Sequence, residues 1–511
     1  RSLYHFPASA VRAVRISFPM TRPGEHPGIR EVSAYAERNQ IPAALVYEAG
    51  LSDGLRATTP GGLSSLMRIH PDWSVYSGVH LLPPGLDPVE FIECADQSSF
   101  LLAETDKGSR TVFRLSEPGA AVAESERFVT GLATESSIAW DGEWLYVLEN
   151  LQLTKLRDTS GDGVADERHR LGTILNPEKG KLRIRDMELA IDGWIYAIFE
   201  SSEEVMGTEL TGRAVTLPAN GIVPFLRNGS AFQLFVSSLQ PVLAVRSPGH
   251  LSFAVVTESE EGGPVSKFLQ YGVFPGRPLE SFPRLSPEHI QLHSKGDFVY
   301  ATGLERAPLL VGQFEDLRSV FHGYGDFVAV IAEKTGTTVF HFGPKGSETN
   351  REGAVVLDSL NGLELFPLLS SPSHLVRKEA VFEILRRKRD WRNEAETLLQ
   401  ERKSSSYLPS LALLSQMKGE KTFELLVDAA RLSHQAGAYR LLGDRKEAEN
   451  HRVLGEITKA TDPDVTTEIL AAIARSGSTI EGLDDLVLGF ASVDDSELSG
   501  TATECSLRLT R

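Results

Sequence analysis

The residues best spaced to do chemistry together lie in "DTSGDGVADERH", 158–169. Asp158, Ser160 and Asp162 take positions one, three and five of an acidic loop. Gly163 allows a sharp turn at six, Val164 offers its carbonyl at seven and Asp166 its carboxylate at nine. A calcium ion takes six to eight oxygens at about 2.3–2.6 Å, and this spacing can wrap such donors around one point. Position twelve, however, is His169 instead of the bidentate glutamate of an EF-hand loop, and Glu167 is poorly spaced to replace it. Two readings stay open: a calcium site of Asp158, Ser160, Asp162, Val164 and Asp166, or a solvated Asp/Gly turn between strands.

Other candidates are sparser. His169 and His250 are isolated, and a lone histidine is more often a surface or satisfied core residue than a base. Asp186 and Glu188 could pair as acid and base, but the strand is expected to turn them to opposite faces. Arg386, Arg387, Lys388, Arg389 and Arg392 form a basic run on a helix, read as a solvated face or, less readily, a docking patch. Cys94 and Cys505 are the only cysteines, too few for a disulfide framework or thiolate metal cluster, and no CxxCH haem motif is present.

The elements that must position these residues change character along the chain. Between 66 and 345 a turn residue is repeatedly followed by an alternating apolar strand ending near an acid: "SSFLLAE", "GEWLYVLE", "GWIYAIFE", "GHLSFAVVTE", "GDFVYATGLE" and "GDFVAVIAE". Their glutamates, Glu104, Glu149, Glu200, Glu258, Glu305 and Glu333, are separated by 45, 51, 58, 47 and 28 residues. Most of these steps suit a four-stranded propeller blade of roughly 40–50 residues. Six copies predict a six-bladed β-propeller over 50–350, with the short last step implying a shared or incomplete blade. One small twisted sheet cannot cover both its faces, whereas radial stacking buries them against neighbours.

After 355 the period becomes helical. "SPSHLVRKEAVFEILRRK", "ATDPDVTTEILAAIARSG" and "SVDDSELSGTATECSLRL" each open on helix-start residues. Aligning Leu375, Val465 and Leu498 gives separations of 90 and 33, which predicts a HEAT-like α-solenoid over 355–511, with unrelated helical hairpins as the rival. At the other end, Val14-Ile16-Phe18 and Ile29-Val32-Tyr35 read as two strands around a Pro/Gly/His loop, either the tail of a separate module or a β-hairpin leading into the next domain. The fold class expected is therefore multi-domain, β then α.

Composition sets outer limits. The 511 residues carry a formal net charge of -17, which disfavours nucleic acid or anionic lipid as the main partner. No stretch approaches the roughly 20 apolar residues of a membrane span. The chain opens at Arg1 without methionine or signal peptide, as expected of a processed or cut piece.

"LTKLRDTSGDGVADERHRL" followed by "AIDGWIYAIFE" resembles the glucose/sorbosone dehydrogenase-like propellers of large bacterial proteins, whose propeller is followed by HEAT repeats and often a c-type cytochrome. Residues 1–45 are similar to the closing strands of a discoidin-like module. The resemblance implies a periplasmic or extracellular protein, pyrroloquinoline quinone (PQQ) and calcium as cofactors, sugar or polyol oxidation, and a cytochrome c electron acceptor. The catalytic pattern departs from it. "KLRIRDMELAIDGWIY" holds Arg183, Ile184 and Arg185 where the family has its general-base histidine. In "SSLQP", Leu239 and Gln240 replace the arginine and asparagine that hold the quinone. The expected function is therefore a binding or scaffold role with a carbohydrate or protein partner. The alternatives are an active PQQ-dependent dehydrogenase with non-standard residues, or a lactonase-type hydrolase, which would need several carboxylates and an asparagine around a central metal.

Overall fold

The computed structural model describes residues 86–247 with short gaps, the strands of 73–81 and 253–344 by backbone alone, and parts of 355–506. The expected module at 1–45 lies outside the described residues. Blade one is an antiparallel meander of Leu86–Glu93, Ser99–Thr105, Arg110–Leu115 and Glu126–Leu132. Blade two repeats it with Ser136–Trp140, Leu145–Glu149, Gln152–Arg157 and Glu167–Thr173. Blade three uses Arg183–Leu189, Trp194–Glu200, Asn220–Leu226 and Val236–Ser238, and blade four Val242–Arg246, Phe253–Glu258, Pro264–Leu269 and Pro278–Ser281. Blade five shows Ile290–Lys295, Phe298–Gly303 and Ala307–Leu309.

The closing sheet joins the two ends of this region. Phe327–Glu333 pairs with Gly336–Pro344, whose other edge takes Trp73–Val75 and His80–Leu81 from far upstream. First strands of blades one to five neighbour one another in chain order, and Leu86–Glu93 also meets Ile290–Lys295 and Phe327–Glu333. That return makes a ring, so the fold is a β-propeller closed by strands from both ends.

Irregular steps in the glutamate spacing now have causes. The longest, from Glu200 to Glu258, contains an inserted hairpin, Val205–Glu209 with Ala214–Leu217, to which Leu175–Lys179 adds a third strand. The copies at Phe298–Gly303 and Phe327–Glu333 fall in different sheets, so they do not share a blade. The second strands read as nearly continuous apolar runs because both faces are covered. Trp194 through Phe199 are all buried. Blade one packs on blade two through Phe100, Leu102 and Val112 against Ile138, Leu145 and Val147. Each such fully buried side chain contributes about 1.5–3 kcal/mol.

Five α-helices are described: α1 (His374–Arg386), α2 (Arg392–Gln400), α3 (Tyr407–Gln416), α4 (Glu420–Ser433) and α5 (Leu483–Phe490). They are not a separate body. Leu189, Ile195 and Phe225 of blade three belong to the same hydrophobic core as Phe382 of α1, Leu413 of α3 and Leu426 of α4. A HEAT-type repeat is not shown, and Val465, on which its alignment leaned, lies outside the described residues. No helix among the described residues is long and apolar enough to cross a membrane.

Candidate functional site at the hub

The first strands of the blades bring charge to the axis of the ring. In blade one the register slips between Pro88 and Glu90, and in blade three between Ile184 and Asp186. Such bulges re-aim the side chain that follows. Glu90 and Asp186 are equivalent: their strand partners, Leu102 and Ile198, both lie two residues before a blade glutamate. Each carboxylate then reaches the next blade. Glu90 Oε2 accepts from Ser137 Oγ at 2.8 Å and the Ile138 N–H at 3.0 Å. Asp186 Oδ2 accepts from the Val245 N–H at 3.2 Å and Arg246 Nη1 at 2.7 Å.

Glu188 joins the same group, its Oε2 lying 3.9 Å from Arg246 Nε. This corrects the expectation that Asp186 and Glu188 face opposite ways. Residues two apart on a strand share a face, and both carboxylates here turn to one guanidinium. Burial, the largest influence, pushes the Glu90 carboxyl well above its ordinary range, with Asp186 adding repulsion against the opposing pull of Arg246. Burial likewise raises Glu188, while Lys378 and Arg246 pull it back. Arg246 is buried, which by itself would lower its pKa, yet Asp186, Glu188 and Glu90 outweigh that and hold it firmly charged.

Helix α1 covers one side of this hub. Lys378 Nζ stands 3.9 Å from Glu188 Oε1, and Glu379 Oε1 accepts the Ala95 N–H at 2.9 Å. Burial pushes the Glu379 carboxyl up to about 8, against the lowering effects of the Ala95 N–H and Lys378. Between α1 and the blade-one strand lies a cavity of about 30 Å³, walled by Phe91, Ile92 and Leu375 and by the polar groups of Glu93, Glu188, Arg246 and Lys378.

The acidic loop lies elsewhere, at the rim between the third and fourth strands of blade two. Asp158 Oδ1 accepts the Gly161 N–H at 2.6 Å and Oδ2 the Gly163 N–H at 2.9 Å. Asp162 takes the Val164 N–H at 2.9 Å. Asp166 takes Thr159 N–H at 2.8 Å and Ser160 N–H at 3.0 Å. The Ser160 hydroxyl points to Asp158 at 3.2 Å. Partial desolvation would raise Asp158, but the Gly163 and Gly161 N–H groups and Arg114 hold it below its ordinary value. Tested for calcium, these carboxylates are engaged by N–H donors, and no group of three or more His, Cys, Asp or Glu placed to hold a metal occurs among the described residues. A cation would have to replace those bonds. Meanwhile the loop clasps blade one: Arg114 Nη1 is 3.7 Å from Asp158, and the Ala165 N–H donates to Phe128 O at 3.0 Å.

Remaining candidates fall into structural roles. His169 is exposed, bound to Glu167 at 2.7 Å and edge-on to Trp144. His250, Leu239 and Gln240 lie outside the described residues. Arg183 is exposed, Ile184 is in the core, and Arg185 is paired with Glu200 at 3.9 Å. Arg183, Ile184 and Arg185 supply no base for a quinone. Part of the basic run is engaged: Arg386 Nε binds Glu143 at 3.0 Å and Arg387 Nε binds Glu383 at 2.7 Å, while Arg389 lies over the Trp391 ring and stays exposed.

No family model matches the chain. No curated protein matches it either. Solved structures resembling it include a calcium structure of a Trichoderma reesei carbohydrate-active enzyme of family AA12, with TM-score 0.34 and 11% identity over 57% of this chain and 99% of that one. A gluconolactonase from Xanthomonas campestris gives 0.32 and 13% over 56% and 95%. A calcium-binding regucalcin from Agrobacterium tumefaciens gives 0.20 and 11%, spanning 26% of this chain and less than half, 46%, of that one. The propeller rests on its own strand order and ring closure.

Sequence reasoning missed the architectural use of the Asp-Gly turns. Asp141 Oδ1 accepts the Trp144 N–H at 2.8 Å and Oδ2 the Tyr146 hydroxyl at 3.0 Å. Asp192 repeats this with Trp194 at 3.1 Å and Tyr196 at 2.9 Å. The recurrence of Asp-Gly with a tyrosine four or five residues after the aspartate was the available signal. It locks the turn between the first two strands of a blade, and those turns seat the helices: Gln416 Nε2 donates to Ile191 O at 3.0 Å.

Proposed function

We propose that the chain is a binding or scaffold propeller for a carbohydrate or protein partner, extracytoplasmic, with a HEAT-like helical part. One observation carries this reading: Arg246 stands among Glu90, Asp186 and Glu188 as a built-in counter-ion. A metal-dependent hydrolase needs an exchangeable cation with open positions at such a cluster, and a quinone-dependent dehydrogenase needs a free base. Here a side chain supplies the positive charge, and α1 covers it. The test is dye reduction with aldoses and polyols after adding PQQ and calcium, beside affinity electrophoresis in polysaccharide gels and pull-down with defined glycoproteins. No turnover with retained mobility shifts is expected; turnover above a heat-denatured control would restore the dehydrogenase and its cytochrome c acceptor.

Calcium at Asp158, Ser160, Asp162, Val164 and Asp166 is a second proposal, favoured by three aspartates gathered in one tight loop. A calcium-dependent thermal shift abolished by Asp162→Ala would support it. No shift at about millimolar calcium, where weak extracellular sites bind, would remove it.

A further inference from the structure

The inserted sheet of Leu175–Lys179, Val205–Glu209 and Ala214–Leu217 ends in two edges of different chemistry. Along Leu175–Lys179, Pro177 lacks an N–H, the register slips between Pro177 and Lys179, and Glu178 and Lys179 are exposed. Proline, a bulge and charge are devices that keep an edge strand from pairing with another chain. The opposite edge, Ala214–Leu217, reads Ala-Val-Thr-Leu and has none of them. The Glu209 N–H donates to Arg213 O at 2.9 Å. By the alternation of an antiparallel ladder, Val215 and Leu217 then turn their main-chain groups toward Val205–Glu209, while Ala214 and Thr216 turn theirs away. Ala214 and Thr216 are exposed, and no further hydrogen bond reaches either one among the described residues. Beside them on the outer face stands Met206, 45% exposed and the strand partner of Thr216.

We propose that Ala214–Leu217 is the contact between two copies of this chain, joined antiparallel about Val215 so that Ala214 of each copy exchanges both backbone hydrogen bonds with Thr216 of the other. The strand is self-complementary in this register, because its two outward-turned residues flank Val215 symmetrically. Such a contact is isologous and closes at the dimer. The side chains suit it. Val215, half-buried on the inner face, meets Val215 of the second copy as a β-branched cross-strand pair, and on the outer face Ala214 meets Thr216, both small and uncharged. Arg213, with 45% of its side chain exposed, falls opposite Leu217 of the second copy. Glu203 and Glu204, both exposed, stand just ahead of Val205, the strand partner of Leu217. Opposite charges therefore approach at both ends of the joint, which offsets part of the repulsion between chains of net charge -17. The contact is short, so the dimer belongs with weak assemblies. It depends on neither calcium nor the chemistry of the hub.

The test is sedimentation velocity on the full chain from about micromolar to about millimolar concentration, the range of weak contacts. A monomer–dimer equilibrium is expected. Thr216→Pro removes an outward N–H and spares the ladder to Val205–Glu209. It should weaken association at least about tenfold, since symmetry loses that bond twice, while the dilute protein keeps its melting temperature. Glu178→Ala, on the blunted edge, should leave association as it was. Should Thr216→Pro fail to fold, hydrogen exchange on the wild type decides: the Ala214 and Thr216 amides should slow as concentration rises. A monomer throughout, unchanged association in folded Thr216→Pro, assembly past the dimer, or amides that do not slow would each overturn the proposal.

Discussion

At the scale of single residues, the hub works because each buried charge has a specific neighbour. Arg246 and Asp186 are both nine-tenths buried or nearly so, and removing one partner strands the other. Arg246→Met should destabilise the protein by about 3–5 kcal/mol in urea unfolding, with part of that recovered in the double variant Asp186→Asn/Arg246→Met. Glu379 supplies a pH signature. Its folded value of about 8 lies above the ordinary 4.5, so the folded state binds the proton more tightly than the unfolded chain does. Its contribution is complete below the unfolded value and is lost as pH rises through the folded one. Glu379→Gln retains an acceptor for the Ala95 N–H and should shrink the fall in melting temperature between about pH 4.5 and pH 8. Glu90 and Glu188 shift in the same direction, so a smaller slope of the same sign should persist.

Among the elements, turns and loops join blades to one another and to the helices. The 158–166 loop folds on its own N–H donors and clasps blade one through Arg114 and Ala165. Asp158→Ala removes the acceptor for Gly161 and Gly163, and should cost about 1–2 kcal/mol; faster proteolytic nicking within 158–166 is the accompanying readout. Gly193 makes a different demand. Its φ is +85°, and a Cβ there would stand 2.2 Å from Oε1 of Gln416. Gly193→Ala should lower stability by about 1–2 kcal/mol for the left-handed backbone alone, with a further cost if Gln416 must release Ile191. Pairing it with Gln416→Ala, measured by thermal denaturation, separates the two contributions.

For the whole molecule, ring closure and the shared core predict cooperative behaviour. Blades two and three and helices α1, α3 and α4 bury one continuous set of side chains. Deleting 355–511 should therefore yield an aggregating product with a poorly dispersed methyl NMR spectrum. A truncated chain that is monomeric by size exclusion and melts as sharply as the full one would contradict the shared core. The ring itself is closed by Trp73–Val75 and His80–Leu81 on Gly336–Pro344, a pairing of strands from opposite ends that local sequence gives no means of anticipating.

What the sequence determined by itself was local: alternation two by two marks strands, and the recurring acid marks where those strands end, as at Glu104, Glu149, Glu200, Glu258 and Glu333. These signals survive because strand pleat and turn geometry depend on near neighbours along the chain. The helical period after 355 was legible for the same reason, but not that its apolar faces would join the propeller core. The acidic loop showed its oxygens in the sequence, whereas their N–H partners depended on how the backbone closed. The hub was invisible. Glu90, Ser137, Asp186 and Arg246 come from four blades, with no spacing that marks them as a group, and only the closing of the ring brings them to one axis. Lys378 arrives later still, on a helix whose position is fixed by packing against blade turns. Tertiary structure therefore decided the site, because long-range proximity follows from how sheets stack around an axis and not from any period within them.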